Sequence, residues 1–265
     1  MKIHKLLYRL LVIILTAVLI VSGCVVGRYV INSIIQKNAY NDLAAQVEQA
    51  RGEALPTAPS AGSQDDSQST VPTAPPILPE YAGLYEENPD LVGWMTIDGT
   101  SINYPVMQSP DRVDYYLYRN FKKESSDHGS LYVRESCDVF APSDNLTIYG
   151  HHMNDGSMFA SLEKYRKQAF WEKYPTIRFD TIYTPQTYTI FAVFATTASV
   201  GQGFSYHLFE DAANEAEFND FVSTCKKLSF YDTGITPEYG DKMITLSTCE
   251  YSQDNGRLVV VAVRN

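Results

Sequence analysis

A chain of 265 residues that is 45% hydrophobic, 12% aromatic and 20% charged has the makeup of a folded protein with a sizeable core, which excludes wholesale disorder. Its net charge is −10, and four of its 21 bases (Lys2, Lys5, Arg9, Arg28) lie in the first 28 residues, so the remainder is more acidic still. That excludes a general nucleic-acid binder, which needs a basic surface or stripe. Four scattered cysteines (Cys24, Cys137, Cys225, Cys249) without a CxxC pair, and adjacent His151 and His152 whose side chains diverge on any regular backbone, give no pattern for a disulfide scaffold, a structural metal or a cofactor.

Residues 1–9 carry Lys2, Lys5 and Arg9, and residues 10–27 are eighteen uncharged, mostly branched apolar positions. At 1.5 Å per residue such a helix nearly crosses a hydrocarbon core of roughly 30 Å. Basic flanks before it and an acidic chain after it predict an N-in, C-out anchor in the cell membrane, with the bilayer as a partner. Val21-Ser22-Gly23-Cys24 offers a competing reading, a lipoprotein processing box with lipidation at Cys24. Residues 28–51 place Ile31, Ile34, Ile35, Leu43 and Val47 at mostly helical spacing and read as a stalk. Residues 52–79 hold six of the 13 prolines among Ser, Thr, Ala and Gln and read as an extended linker.

One folded domain is expected over residues 80–265. Eight strand candidates recur there between turn signals, at 91–97, 101–106, 128–133, 145–149, 176–180, 186–197, 242–248 and 258–263. With no regular helix separating one from the next, they predict an antiparallel or mixed barrel with peripheral helices. The helical pattern is clearest over 211–228 and shorter over 80–87. Cys225 reads as a packing thiol on the first of these, Cys137 as a bystander in a polar loop. A disulfide among the outer cysteines is conceivable. Tyr115, Tyr116 and Tyr118 read as amphipathic barrel surface, with a peptide-binding groove as the alternative.

Three segments point to chemistry. The run Asn145–Tyr149 ends in Gly150 and delivers His151 where the chain leaves the sheet; Thr245–Thr248 delivers Cys249; and Arg257 opens the last β-run. Gln253-Asp254-Asn255-Gly256 is a turn signal, and an antiparallel pair centred on residue 253 sets Cys249 opposite Arg257. A guanidinium beside a thiol favours the nucleophilic thiolate and offers rigid N–H donors to an oxyanion, and His151 can supply a leaving-group proton. Each residue alone has a plain structural reading: a buried thiol, a loop histidine, an arginine paired with Glu250 or Asp254.

At these residues the sequence resembles the sortases, specifically class B: TLSTC before a strand that opens with Arg, preceded by IYGHHMNDGSMF, with Asn88–Val106 similar to the opening strands of that class and residues 211–228 similar to its inserted helix. The resemblance implies a sortase-type eight-stranded β-barrel without cofactor or metal. It also implies a catalytic set of His151, Cys249 and Arg257, with Ser247 and Glu250 at positions that contact substrate. The implied partners are surface proteins with an Asn-Pro-x-Thr-type sorting signal and a peptidoglycan precursor or stem-peptide amine. A cysteine hydrolase without wall attachment and a pilin-polymerising enzyme are the alternatives.

Overall fold

A computed structural model describes residues 2–53, 75–199, 201–250 and 255–265; most of the expected linker and the turn residues 251–254 lie outside the described residues. The chain forms two units, Met1–Asn41 and Asp42–Asn265. In the first, a single helix, α1 (Lys2–Glu53), begins; its apolar side chains from Leu10 to Val26 are exposed, and it is long and apolar enough to cross a membrane.

The second unit opens with the last turns of α1, which bury Leu43 and Val47. Arg51 from the same turns reaches the fully buried Asp180 at 3.1 Å, and Tyr81 of α2 (Pro79–Glu87) donates to the same carboxylate at 2.8 Å. Removing two charges from water is tolerated here because the carboxylate is also gripped by Arg178 at 2.7 Å. Eight strands follow: β1 (Leu91–Thr96), β2 (Asn103–Met107), β3 (Leu131–Val133), β4 (Asn145–Tyr149), β5 (Thr176–Thr181), β6 (Thr187–Thr197), β7 (Met243–Glu250) and β8 (Gly256–Arg264). They close into one barrel in the order β1-β2-β3-β4-β7-β8-β6-β5.

The sheet is mixed. β2 runs parallel to β3, and β4 runs parallel to β7 with Tyr149 opposite Ser247. Parallel neighbours need crossovers, and these corrected the expectation of strands unbroken by helix: α3 (Gln168–Lys173) falls between β4 and β5, and α4 (Glu215–Leu228) between β6 and β7. α4 starts where Asn214 accepts a hydrogen bond from the Glu217 amide, four residues later than the apolar pattern suggests, because that side chain caps the free N–H groups. Acidic Glu215 and Glu217 in its first turn and Lys226 and Lys227 in its last oppose the helix dipole.

Phe218, Phe221, Val222 and Cys225, at helical spacing, bury one face of α4 against Phe191, Phe194, Met243, Val259, Val261 and Val263. Phe209 stacks on Phe221 with ring centroids 4.0 Å apart. The Cys225 thiol is fully buried and pushed strongly upward by desolvation, as expected of a packing residue. Cys137 is buried too, not a loop bystander: its Sγ lies 3.6 Å from the Asn145 carbonyl and burial pushes the thiol up to about 11. All four cysteines are free thiols, so no disulfide forms.

Candidate active site

On β7 and β8 the register pairs Cys249 with Arg257 and Ser247 with Val259. Directly opposed residues project to the same face, about 4.5–5.5 Å apart at Cβ. The thiol and the guanidinium therefore share a face, as the symmetric turn implied. Tyr132 opposes Tyr149, and Tyr149 opposes Ser247, so the outer face of four strands forms one floor. Above it lies a cleft of about 380 Å³ that Tyr132, Tyr149, His151, Ser247, Cys249 and Arg257 all line.

Two walls enclose this floor. The first is a 3₁₀ turn over Tyr115–Tyr118, contributing Leu117 and Tyr118, with Asp114 before it; the second is the segment after β6, contributing Ala198, Tyr206 and His207. Tyr206 is fixed by a buried 2.6 Å hydrogen bond to Ser247 Oγ. Tyr118 is therefore cleft wall, packed with its ring centroid 5.4 Å from that of His151, whereas Tyr116 is core, its hydroxyl donating to Asp90 at 2.7 Å. The expectation that this tyrosine run decorates the barrel surface is corrected at Tyr116, which is interior; Tyr118 is exposed and lines the cleft, as the groove alternative expects.

His151 is delivered by Gly150, where a Cβ would come within 2.5 Å of Leu131 and 2.6 Å of Phe159. Only glycine lets the chain pass that close and turn the next side chain into the cleft. His151 Nε2 lies 2.7 Å from the Leu117 carbonyl. A carbonyl only accepts, so Nε2 carries the hydrogen and Nδ1 is left to take up or give up a proton. Burial lowers the His151 pKa below the ordinary imidazole value, outweighing the stabilising Leu117 carbonyl, with nearby His128 pulling it down further. The ring is thus neutral at neutral pH.

Cys249 is half-buried, unlike the fully buried Cys225 and the buried Cys137, and so is a thiol that reagents can reach. Its own carbonyl accepts a 3.1 Å hydrogen bond from His152 Nδ1. The two adjacent histidines do diverge, and the second braces the backbone of Cys249, a role that sequence reading missed. Arg257 Nη1 donates to the Gly256 carbonyl at 2.9 Å and makes no ion pair among the described residues. Its expected alternative partner Glu250 is instead buried against Arg166 at 2.9 Å and does not line the cleft; Asp254 lies outside the described residues. Burial, then the charges of Arg134 and Arg257, lower the pKa of the wall residue His207.

The arrangement brings a reachable sulfur, a neutral imidazole with one nitrogen committed and a guanidinium without an ion pair among the described residues into one cleft. Of the five residues singled out in the sequence, four line it and Glu250 does not. Asp114, His152, Tyr206 and His207 had no local signature, because their placement depends on partners far along the chain.

Comparison with known proteins bears on the same elements. A family model described as the sortase domain matches residues 95–265. Sortase B of Staphylococcus aureus is 34% identical over 188 residues, 70% of this chain and 75% of the relative. Sortase B of Listeria monocytogenes is 36% identical over 186 residues, 69% of this chain and 73% of the relative. Among solved structures, a Staphylococcus aureus sortase B–substrate complex superposes with a TM-score of 0.74 at 28% identity, covering 89% of this chain and 98% of that one.

Proposed function

The chain belongs to the sortase family of cysteine transpeptidases, in class B, and from that premise we propose that it cuts an Asn-Pro-x-Thr-type sorting signal and transfers the acyl part to a cell-wall amine at the outer membrane face. The observation that carries this reading is the pairing of Cys249 with Arg257 in a cleft that also holds His151. The lengthwise charge pattern and the exposed apolar face of α1 support an anchor with its N-terminus inside and residues 80–265 outside.

The Cys249 thiol passes its proton to the free Nδ1 of neutral His151 as its sulfur attacks the threonine carbonyl, and the developing oxyanion takes hydrogen bonds from the Arg257 guanidinium. Collapse breaks the amide C–N bond, the departing nitrogen takes a proton from His151, and a thioester to Cys249 remains. The acceptor amine then attacks the thioester carbon, and its proton passes through the now neutral His151 to the departing sulfur, which restores the thiol and the neutral imidazole. Ser247 contributes through Tyr206, whose ring it holds as a wall, and Glu250 through Arg166. A solved relative carries a bound substrate, and the equivalent cleft here is proposed to seat the sorting peptide.

The test is incubation of the full chain with quenched sorting peptides, with and without candidate amines. Cleavage that requires Cys249, passes through a covalent adduct and is diverted by amine away from the free acid is the expected result. A free acid at every amine concentration would make the protein a hydrolase and overturn the transfer step.

A further inference from the structure

The cleft is electrically lopsided. Arg257 stands on β8, while at the other end the carboxylate of Asp114 reaches β3 and accepts a 2.7 Å hydrogen bond from Tyr132 Oη. Asp114 occupies the capping position of the 3₁₀ turn, yet its side chain caps nothing there. Its backbone is left-handed, at φ 52° and ψ 26°, a region that aspartate enters more readily than most residues. Among the described residues no cation pairs with it: the nearest arginines in sequence, Arg112 and Arg119, lie instead over the Tyr115 ring at 3.6 and 4.9 Å. An acid oriented by a tyrosine, without a cap to make or a cation to meet, faces a substrate cleft.

We infer that Asp114 is a specificity residue of this cleft whose carboxylate takes an ammonium or guanidinium carried by a bound substrate, a reading that rests on the proposed transpeptidation. The cation is not the reacting amine. β3 lies two strands from β7, about 10 Å at a strand spacing near 4.8 Å, whereas an attacking nitrogen must be uncharged and within about 3–3.5 Å of the thioester carbon. The group at Asp114 is therefore carried a residue or more from the reacting centre. It is either a basic side chain of the sorting peptide or a second, unreactive amine of the acceptor.

The experiment has a turnover-independent arm and two turnover arms, all on the detergent-solubilised full chain. In the first, Cys249 is modified by a trimethylammonium-ethyl or by a neutral hydroxyethyl methanethiosulfonate, and the rates are read at the Cys249 peptide by mass spectrometry. Asp114→Asn should lower the cationic-to-neutral rate ratio about threefold to fivefold at low salt, the size of a partly exposed ion pair. The ratio difference should shrink in high salt. Asp114→Glu should keep most of the ratio, and Tyr132→Phe, which removes only the orienting hydroxyl, should lower it about twofold, so the inference survives a failure of one variant to fold.

In the second arm, acylation rates are compared for sorting peptides with Lys or Gln at the variable position; in the third, acyl-enzyme partitioning is compared for acceptors with and without a second amine. A Lys preference erased by Asp114→Asn assigns the cation to the sorting peptide, and an acceptor preference erased assigns it to the acceptor. If turnover persists and neither preference nor the reagent ratio moves, the inference is overturned. If no peptide forms a thioacyl adduct while the reagent ratio still falls, the transpeptidase reading fails and the cation site stands.

Discussion

The outer face of β7 and β8 carries two halves with opposite chemistry. Near the start of β7, Met243 faces Val263, and the alternating Val261 and Val259 continue the stripe under α4, sealed by Phe218, Phe221, Val222 and Cys225. Opposite Val259 the same face turns polar: Ser247 is bonded to Tyr206, and two residues further along Cys249 is half-buried with Arg257 opposite it. One ladder of hydrogen bonds serves both halves. The dry half holds the strands at fixed spacing, so the thiol and guanidinium of the wet half meet without either being covered. Rigidity is supplied by the covered half, and exposure is confined to the half that holds the thiol and the guanidinium.

This contrast is open to attack, beginning with the largest effect. Cys249→Ala should remove both peptide cleavage and the covalent adduct while leaving the far-ultraviolet dichroism of the barrel in place; residual cleavage would put the nucleophile elsewhere. In the dry half, Phe221→Ala removes a ring stacked at 4.0 Å on Phe209 and should destabilise the fold by about 3–5 kcal/mol, read as a lowered urea midpoint. If it spared stability but abolished turnover, the division between the halves would be false. Arg257→Lys should lower kcat about 10²–10³-fold, because an ammonium cannot reproduce a planar fork of donors, with a urea midpoint close to that of the parent.

A gentler test uses the thiols themselves. In the folded protein a methanethiosulfonate should label Cys249 and leave Cys225 and Cys137 untouched until urea opens the fold, since both are buried with thiol pKa values driven upward. The smallest expected effect is on pH dependence. His151 has a folded pKa below its ordinary value near 6.5, chiefly through burial. Its contribution to stability is therefore complete above that ordinary value and lost as pH falls through the folded one. Urea midpoints should decline on acidification below about pH 6.5, and His151→Gln should flatten part of that slope.

Much of this was legible in the linear chain. Counting outward from residue 253 paired Cys249 with Arg257, and all eight strands occur near where alternation and turn residues put them. What governs those features is local: pleat, turn and period. The parallel pairings of β2 with β3 and β4 with β7 were not legible, because a crossover leaves no mark on the strands that it joins. Nor were the cleft walls. Tyr206 is 41 residues from Ser247, and Leu117 is 34 from His151, so nothing in either neighbourhood announces the contact. Glu250, which the resemblance put at a substrate-contacting position, is turned by the pleat away from Cys249 and pairs with Arg166, a partner 84 positions back that its own neighbourhood does not announce.

Closure of the barrel has a consequence for how a peptide is read. With β5 returning to β1, every strand already has two neighbours, so among the described residues no strand is an open edge for a guest to join as an additional strand. A visiting chain must lie across the floor as a foreign object, recognised by its side groups and by the few donors that the walls offer. Redirecting such an enzyme to a new target is thus a matter of rebuilding the segments 114–118 and 206–207, with the cylinder beneath them left as it is.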